Sequence, residues 1–174
     1  MLFSGQHKIL SFTDIPNVVT LLKNQKQTVI FAHGVFDMLH RGHVTLLVEA
    51  KKIGGILIVG VENDKNVKVL KGKNRPIHSE QARLYVLSNL TPVDHLFLIP
   101  EYKNEDLNGF YNDLYKKIRA DVLATCVDAG IYGPLKKQHA AAAGMKLVDI
   151  TERYELNTSK VIELLRESSY QHSS

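Results

Sequence analysis

Five runs of uninterrupted, β-branched-rich apolar sequence punctuate the chain: Thr28–His33, Ile56–Glu62, His95–Ile99, Asp121–Thr125 and Lys146–Ile150. A strand with one wet face alternates polar and apolar residues. A strand without alternation is covered on both faces, as in a parallel sheet flanked by helices. The stretches between the runs carry helical stripes. Val44, Leu47, Val48 and Ala50 line one face of Gly42–Ile53, which Gly54-Gly55 stops. Ser79 caps a helix with Ala82, Val86 and Leu87 inward, and Leu107, Phe110, Leu114 and Ile118 share a stripe in Asp106–Arg119. Pro134–Ala143 is alanine-rich and closed by Gly144. Right-handed crossovers between such strands predict an α/β chain built on a single doubly wound, parallel, five-stranded sheet of the Rossmann type. Ligands of these sheets bind at the carboxyl ends of the strands, where strand order reverses, so the loops after the strands are where chemistry is expected.

A length of 174 residues suits one domain with its own core. The expected organisation is a domain over residues 1–167, with 1–26 as a helical lead-in and 168–174 as a frayed polar tail. Thr13-Asp14-Ile15-Pro16 has the cap and first-turn proline of a helix start, running to about Lys23. Asn63–Pro76 reads as a polar, lysine-rich loop, and Asn157 or Thr158 opens a last helix through Leu165. Apolar residues at 44% exclude a disordered chain. One cysteine, Cys126, excludes an internal disulfide and favours a reducing compartment. No apolar run is long enough to span a membrane, and Met1–Lys8 has no signal pattern, so a cytoplasmic protein is expected. The net charge is +4, and Lys65, Lys68, Lys71, Lys73 and Arg75 lie close together, which suits a phosphate-bearing partner.

The first strand runs directly into His33-Gly34-Val35-Phe36-Asp37-Met38-Leu39-His40-Arg41-Gly42-His43. At a spacing of three, His40 and His43 share one face of a first helical turn. Gly42 leaves room between them, and the helix N-terminus adds N–H donors and partial positive charge. The ensemble is an anion site suited to a triphosphate whose α-phosphorus gains charge in a transition state. Two incidental surface histidines or a zinc pair are the alternatives, and the zinc pair has no cysteine and no clear carboxylate partner nearby.

This segment resembles the HxGH signature of the nucleotidyltransferase superfamily, in the form GxFDxxHxGH of cytidylyltransferase-like enzymes. It is complete here as Gly34, Phe36, Asp37, His40, Gly42 and His43. The resemblance implies catalytic roles for His40 and His43 and nucleotide-binding roles for Gly34, Phe36, Asp37 and Gly42. Lys71-Gly72-Lys73-Asn74-Arg75-Pro76-Ile77, followed by Glu80, Gln81, Arg83, Val86-Leu87 and Val93-Asp94, is similar to heptose-1-phosphate adenylyltransferases, the second domain of the bifunctional heptose enzyme. That likeness covers about residues 8 to 100 and weakens toward Leu165. It implies that Lys71 serves catalysis and that Arg83 holds nucleotide phosphate; a solvated lysine and a helix-surface ion pair are the plainer alternatives. Leu156-Asn157-Thr158-Ser159-Lys160-Val161-Ile162 resembles the element that holds the β and γ phosphates, which implies that role for Asn157, Thr158 and Ser159. The same residues also suit an ordinary helix cap. Arg153 stands one residue from the family's usual arginine.

The implied reaction joins a nucleoside triphosphate to a phosphorylated small-molecule acceptor and releases pyrophosphate. ATP and a heptose-like sugar phosphate are favoured; CTP with glycerol 3-phosphate or a similar polyol phosphate is the near rival. Mg²⁺ is expected as cofactor, bridging phosphate oxygens with few protein ligands; Asp37 is a candidate contact or, equally, a structural residue. The resemblance implies a homo-oligomer. A non-catalytic nucleotide-binding regulatory protein is a second class. A nucleic-acid binder is a third, but the basic cluster lacks interleaved aromatics and no nucleic acid is expected as partner. The chain departs from the heptose branch in two places. Ala32-His33 precede Gly34 where Asn or Thr is usual, and Ala124–Gly133 replaces a KGGDY run. His33 either lines an acceptor pocket or is a satisfied strand-end histidine.

Overall fold

The computed structural model describes residues 5–102, 106–127, 133–151 and 158–163. After a short 3-10 turn at Gln6–Lys8, the elements run β1 (Ile9–Leu10), α1 (Ile15–Asn24), β2 (Val29–Gly34), α2 (Arg41–Lys52), β3 (Ile56–Glu62), α3 (Asp64–Lys71), α4 (Glu80–Ser88), β4 (His95–Ile99), α5 (Leu107–Ile118), β5 (Val122–Thr125), α6 (Gly133–Ala142) and β6 (Lys146–Asp149). Residues 158–163 are helical. The tail 168–174 and the end of the last helix at Leu165 lie outside the described residues.

One parallel sheet carries the order β1-β4-β3-β2-β5-β6. It has six strands where five were expected. The extra one, Ile9–Leu10, pairs with Leu96 and Phe97 at the sheet edge. Two residues carry no periodicity, so this strand exists only because β4 offers it an open edge. A second correction falls on Asn63–Pro76, whose first half is helical. Asn63 caps α3 by accepting the Asn66 N–H at 2.8 Å, and Gly72 at φ 95° ends it. Lysines cover its wet faces and only Asn66 and Val67 are buried, which is why it reads as a loop.

Successive residues of β2 explain the two-sided core. Val29 and Phe31 face a cluster with Ile15, Val19, Phe97, Leu114, Tyr115, Ile118 and Ala140, beneath α1, α5 and α6. Ile30 and Ala32 face a cluster with Leu47, Leu57, Val59, Leu87 and Leu96, beneath α2 and α4. Both faces of the strand are dry, as its unbroken apolar run predicts, and each large side chain so buried contributes roughly 1.5–3 kcal/mol. β3 and β4 lie to one side of β2, and β5 and β6 to the other. The order therefore reverses at β2, and the crevice opens between the carboxyl ends of β2 and β5.

Candidate active site

The loop leaving β2 is held in an uncommon shape. Phe36 and Met38 take φ values of 53° and 48°, the left-handed region that side chains with a Cβ avoid at a cost of about 1–2 kcal/mol each. Asp37, between them, is buried and supplies the hold. Its Oδ2 accepts from Arg75 Nε at 2.8 Å and from the Ile77 N–H at 2.9 Å, and its Oδ1 from the His78 N–H at 2.9 Å. Arg75 Nη2 adds an ion pair at 2.8 Å. Burial alone would raise the Asp37 pKa, but the two backbone N–H groups and the Arg75 guanidinium hold it below the usual carboxylate range. The Asp37 carbonyl accepts the Thr158 hydroxyl at 2.6 Å, so the same residue docks the helical segment 158–163.

Arg83 reinforces the loop from α4. It is buried, and donates from Nη1 to the Val35 carbonyl at 2.6 Å, from Nε to the His78 carbonyl at 3.1 Å and from Nη2 to Asp64 Oδ1 at 2.7 Å. All three guanidinium nitrogens are thus engaged with protein.

His40 is the N-cap of α2. Its Nδ1 accepts the Gly42 N–H at 3.1 Å, which leaves the proton of the neutral ring on Nε2, as a donor. A Cβ on residue 42 would lie 3.1 Å from the His40 ring, so glycine there makes the close approach possible. The His40 and His43 rings stack with centroids 3.9 Å apart, and Phe36 lies 5.3 Å from His43. Burial lowers the His43 pKa from 6.5 to about 4, helped by the neighbouring His40 and opposed by Asp37. Burial lowers His40 as well. Both rings are therefore neutral near pH 7. His43 Nδ1 is buried with no hydrogen-bond partner among the described residues.

A cleft of about 370 Å³ opens beside His40, lined by Met38, Leu39, His40, His78, Thr158 and Val161. Gly34, Phe36, Asp37, His40, Gly42, His43 and Thr158 thus come together, with Ser159 exposed on the next position. Lys71 ends α3 and is exposed. Asn157 and Arg153 lie outside the described residues, as does most of the loop from Cys126 to Gly133. His33 is satisfied in the core: Nε2 pairs with the Tyr115 hydroxyl at 2.7 Å, and its ring stacks on Phe31.

The sequence reading missed the latch of Arg75, Ile77 and His78 on Asp37, because two of its three donors are backbone N–H groups that leave no trace in residue type. It also missed Glu62, buried at the end of β3, which accepts from Tyr111 Oη at 2.7 Å, Asn66 Nδ2 at 3.0 Å and Tyr102 Oη at 3.1 Å. A carboxylate ending an apolar run was the available signal.

A strained loop after β2, a histidine pair stacked at the start of α2 and a cleft beside His40 make up the candidate site of this α/β fold. The family model described as cytidylyltransferase-like matches residues 31–168, and the chain belongs to that family. Its enzyme class is accordingly that of the nucleotidyltransferases. Among curated proteins, the bifunctional protein HldE of Nitrosococcus oceani is 33% identical over 163 residues, 92% of this chain and 32% of that one. The bifunctional protein HldE of Campylobacter concisus is 38% identical over 123 residues, 71% of this chain and 24% of its own. The chain thus spans at most about a third of the length of these relatives. A lipopolysaccharide core biosynthesis protein from Thermoplasma volcanium superposes with a TM-score of 0.56 at 28% identity, covering 74% of this chain and 99% of that one. Pantoate-beta-alanine ligase from Francisella tularensis, at 18% identity, shares the fold, with a TM-score of 0.60 over 91% of this chain and 78% of its own. No helix among the described residues is long and apolar enough to cross a membrane.

Proposed function

We propose that this chain transfers a nucleoside monophosphate from a nucleoside triphosphate, ATP by preference, to the phosphate of a sugar or polyol, releasing pyrophosphate. The observation that carries the reading is the His40–His43 pair: neutral, stacked, and set at a helix N-terminus, with His40 lining a cleft. A phosphate monoester is already an anion near neutral pH, so its oxygen attacks the α-phosphorus without a strong base. Catalysis then rests on positioning and on charge stabilisation. His40 Nε2–H donates to the α-phosphate, and His43 supports the bridging oxygen as charge moves to it. Lys71 neutralises the pentacoordinate centre. Thr158 and Ser159 meet the leaving pyrophosphate at the start of their helical segment. Asp37, Arg75 and Arg83 shape the loop that aims the histidines; in this reading Arg83 acts through Val35 and His78 rather than on phosphate.

Mg²⁺, when bound, would neutralise triphosphate oxygens. The residues present fit an ion carried by the nucleotide. Asp37 spends both oxygens on protein donors, and among the described residues no group of three His, Cys, Asp or Glu is placed to hold a metal.

Pyrophosphate release measured with each of ATP, CTP, GTP and UTP, against sugar 1-phosphates and polyol phosphates, tests the reading. Turnover with ATP and a sugar 1-phosphate is expected. Turnover with CTP alone and glycerol 3-phosphate would replace the substrate pair, and nucleotide binding with no release for any acceptor would remove the enzymatic reading. His43→Ala should abolish release with an unchanged circular dichroism spectrum.

A further inference from the structure

We propose that Lys136, on the first turns of α6, holds the phosphate of the acceptor. The inference rests on the nucleotidyltransferase reading and adds a binding residue to it. Lys136 Nζ donates to Thr125 Oγ1 at 2.9 Å. Thr125 lies two residues beyond Leu123, which pairs with Phe31 of β2, so the ammonium stands at the mouth of the crevice where strand order reverses.

An ammonium has three N–H donors. Among the described residues the Thr125 hydroxyl is the only hydrogen-bond partner of this one, and no carboxylate forms a salt bridge with it. Glu62 is the near anion that acts on it, but its oxygens are taken by Tyr111, Tyr102 and Asn66, and His33 Nδ1 stands 3.8 Å from Oε1. Burial pushes the Lys136 pKa down, Cys126 and Glu62 oppose that, and the Lys71 charge adds to it. A cation that burial disfavours and that no carboxylate pairs is stabilised by an arriving anion.

The geometry of the reaction indicates which anion. In-line displacement brings the attacking oxygen to the α-phosphorus from the side opposite the leaving pyrophosphate. The triphosphate occupies the cleft of His40, His78 and Thr158, and neither Lys136 nor Thr125 lines that cleft. The acceptor's phosphate therefore needs a cation of its own on another wall. Lys136 is on α6, and its charge is felt together with that of Lys71, the residue assigned to the reacting centre.

The test is calorimetric titration of inorganic phosphate, ATP and CTP into the full chain, as wild type, Lys136→Met and Lys136→Arg, with thermal melts of each. Loss of a charge-assisted contact should weaken phosphate binding by about 10- to 100-fold in Lys136→Met. Nucleotide affinity should stay within about twofold and melting should be no lower, since an unpaired buried charge is removed. Lys136→Arg should recover part of the phosphate affinity. Equal phosphate affinity in wild type and Lys136→Met overturns the proposal, as does a wild type that binds no phosphate. A loss confined to ATP or CTP overturns it too, and so does a variant that melts early, because that would make Lys136 a structural support. Should neither nucleotide bind while phosphate still depends on Lys136, the nucleotidyltransferase reading fails and the anion site stands.

Discussion

His43 titrates in the folded chain at about 4 and in an unfolded chain near 6.5. Above pH 6.5 the ring is neutral in both states and contributes no pH dependence. As pH falls below 6.5 the unfolded chain takes up a proton that the folded chain refuses, so stability drops. The drop is complete near pH 4, below which both states bind the proton. The difference corresponds to about 3 kcal/mol lost across that window. Burial also lowers His33, His40, His95 and His139, so the whole chain loses stability on acidification in the same direction. His43→Gln keeps a polar side chain and removes one titration. Urea denaturation at steps from about pH 4 to pH 7 should show the variant losing about 3 kcal/mol less than wild type over the range. At pH 7 the same variant should turn over roughly 10²–10³ times more slowly, because the imidazole that supports the bridging oxygen is gone. Parallel stability curves for the two proteins would refute the argument, because His43 would then be an ordinary, hydrated imidazole.

Asp37→Ala leaves Arg75 and two backbone N–H groups without an acceptor and should cost about 3–5 kcal/mol, read as a large fall in melting temperature. Gly42→Ala places a Cβ 3.1 Å from the His40 ring; circular dichroism should be unchanged while turnover falls by about tenfold or more, because the ring must shift. Thr158→Val removes the hydroxyl from the Asp37 carbonyl, so stability should fall by about 1 kcal/mol in denaturant titration and the KM for nucleotide should rise.

Unbroken apolar runs determine, without any tertiary information, that β2, β3, β4 and β5 are buried on both faces and parallel, because only that environment removes the need for alternation. Gly34 through His43 carry their chemistry in residue type and spacing, so the histidine pair and its helix were legible too. Tertiary structure alone decided three things. Ile9–Leu10 became a strand only because β4 left an edge open. Asp64–Lys71 became a helix because Asn66 and Val67 could be buried against neighbours that a lysine-rich sequence does not announce. Arg83 and Asp37, which the family pattern assigns to phosphate and nucleotide, have their charged groups filled by the Val35 and His78 carbonyls, Asp64, Arg75 and backbone donors, partners as far as 48 residues away in sequence. Local sequence encodes propensity and burial. Which donor meets which acceptor is fixed only when distant segments are brought within hydrogen-bond reach.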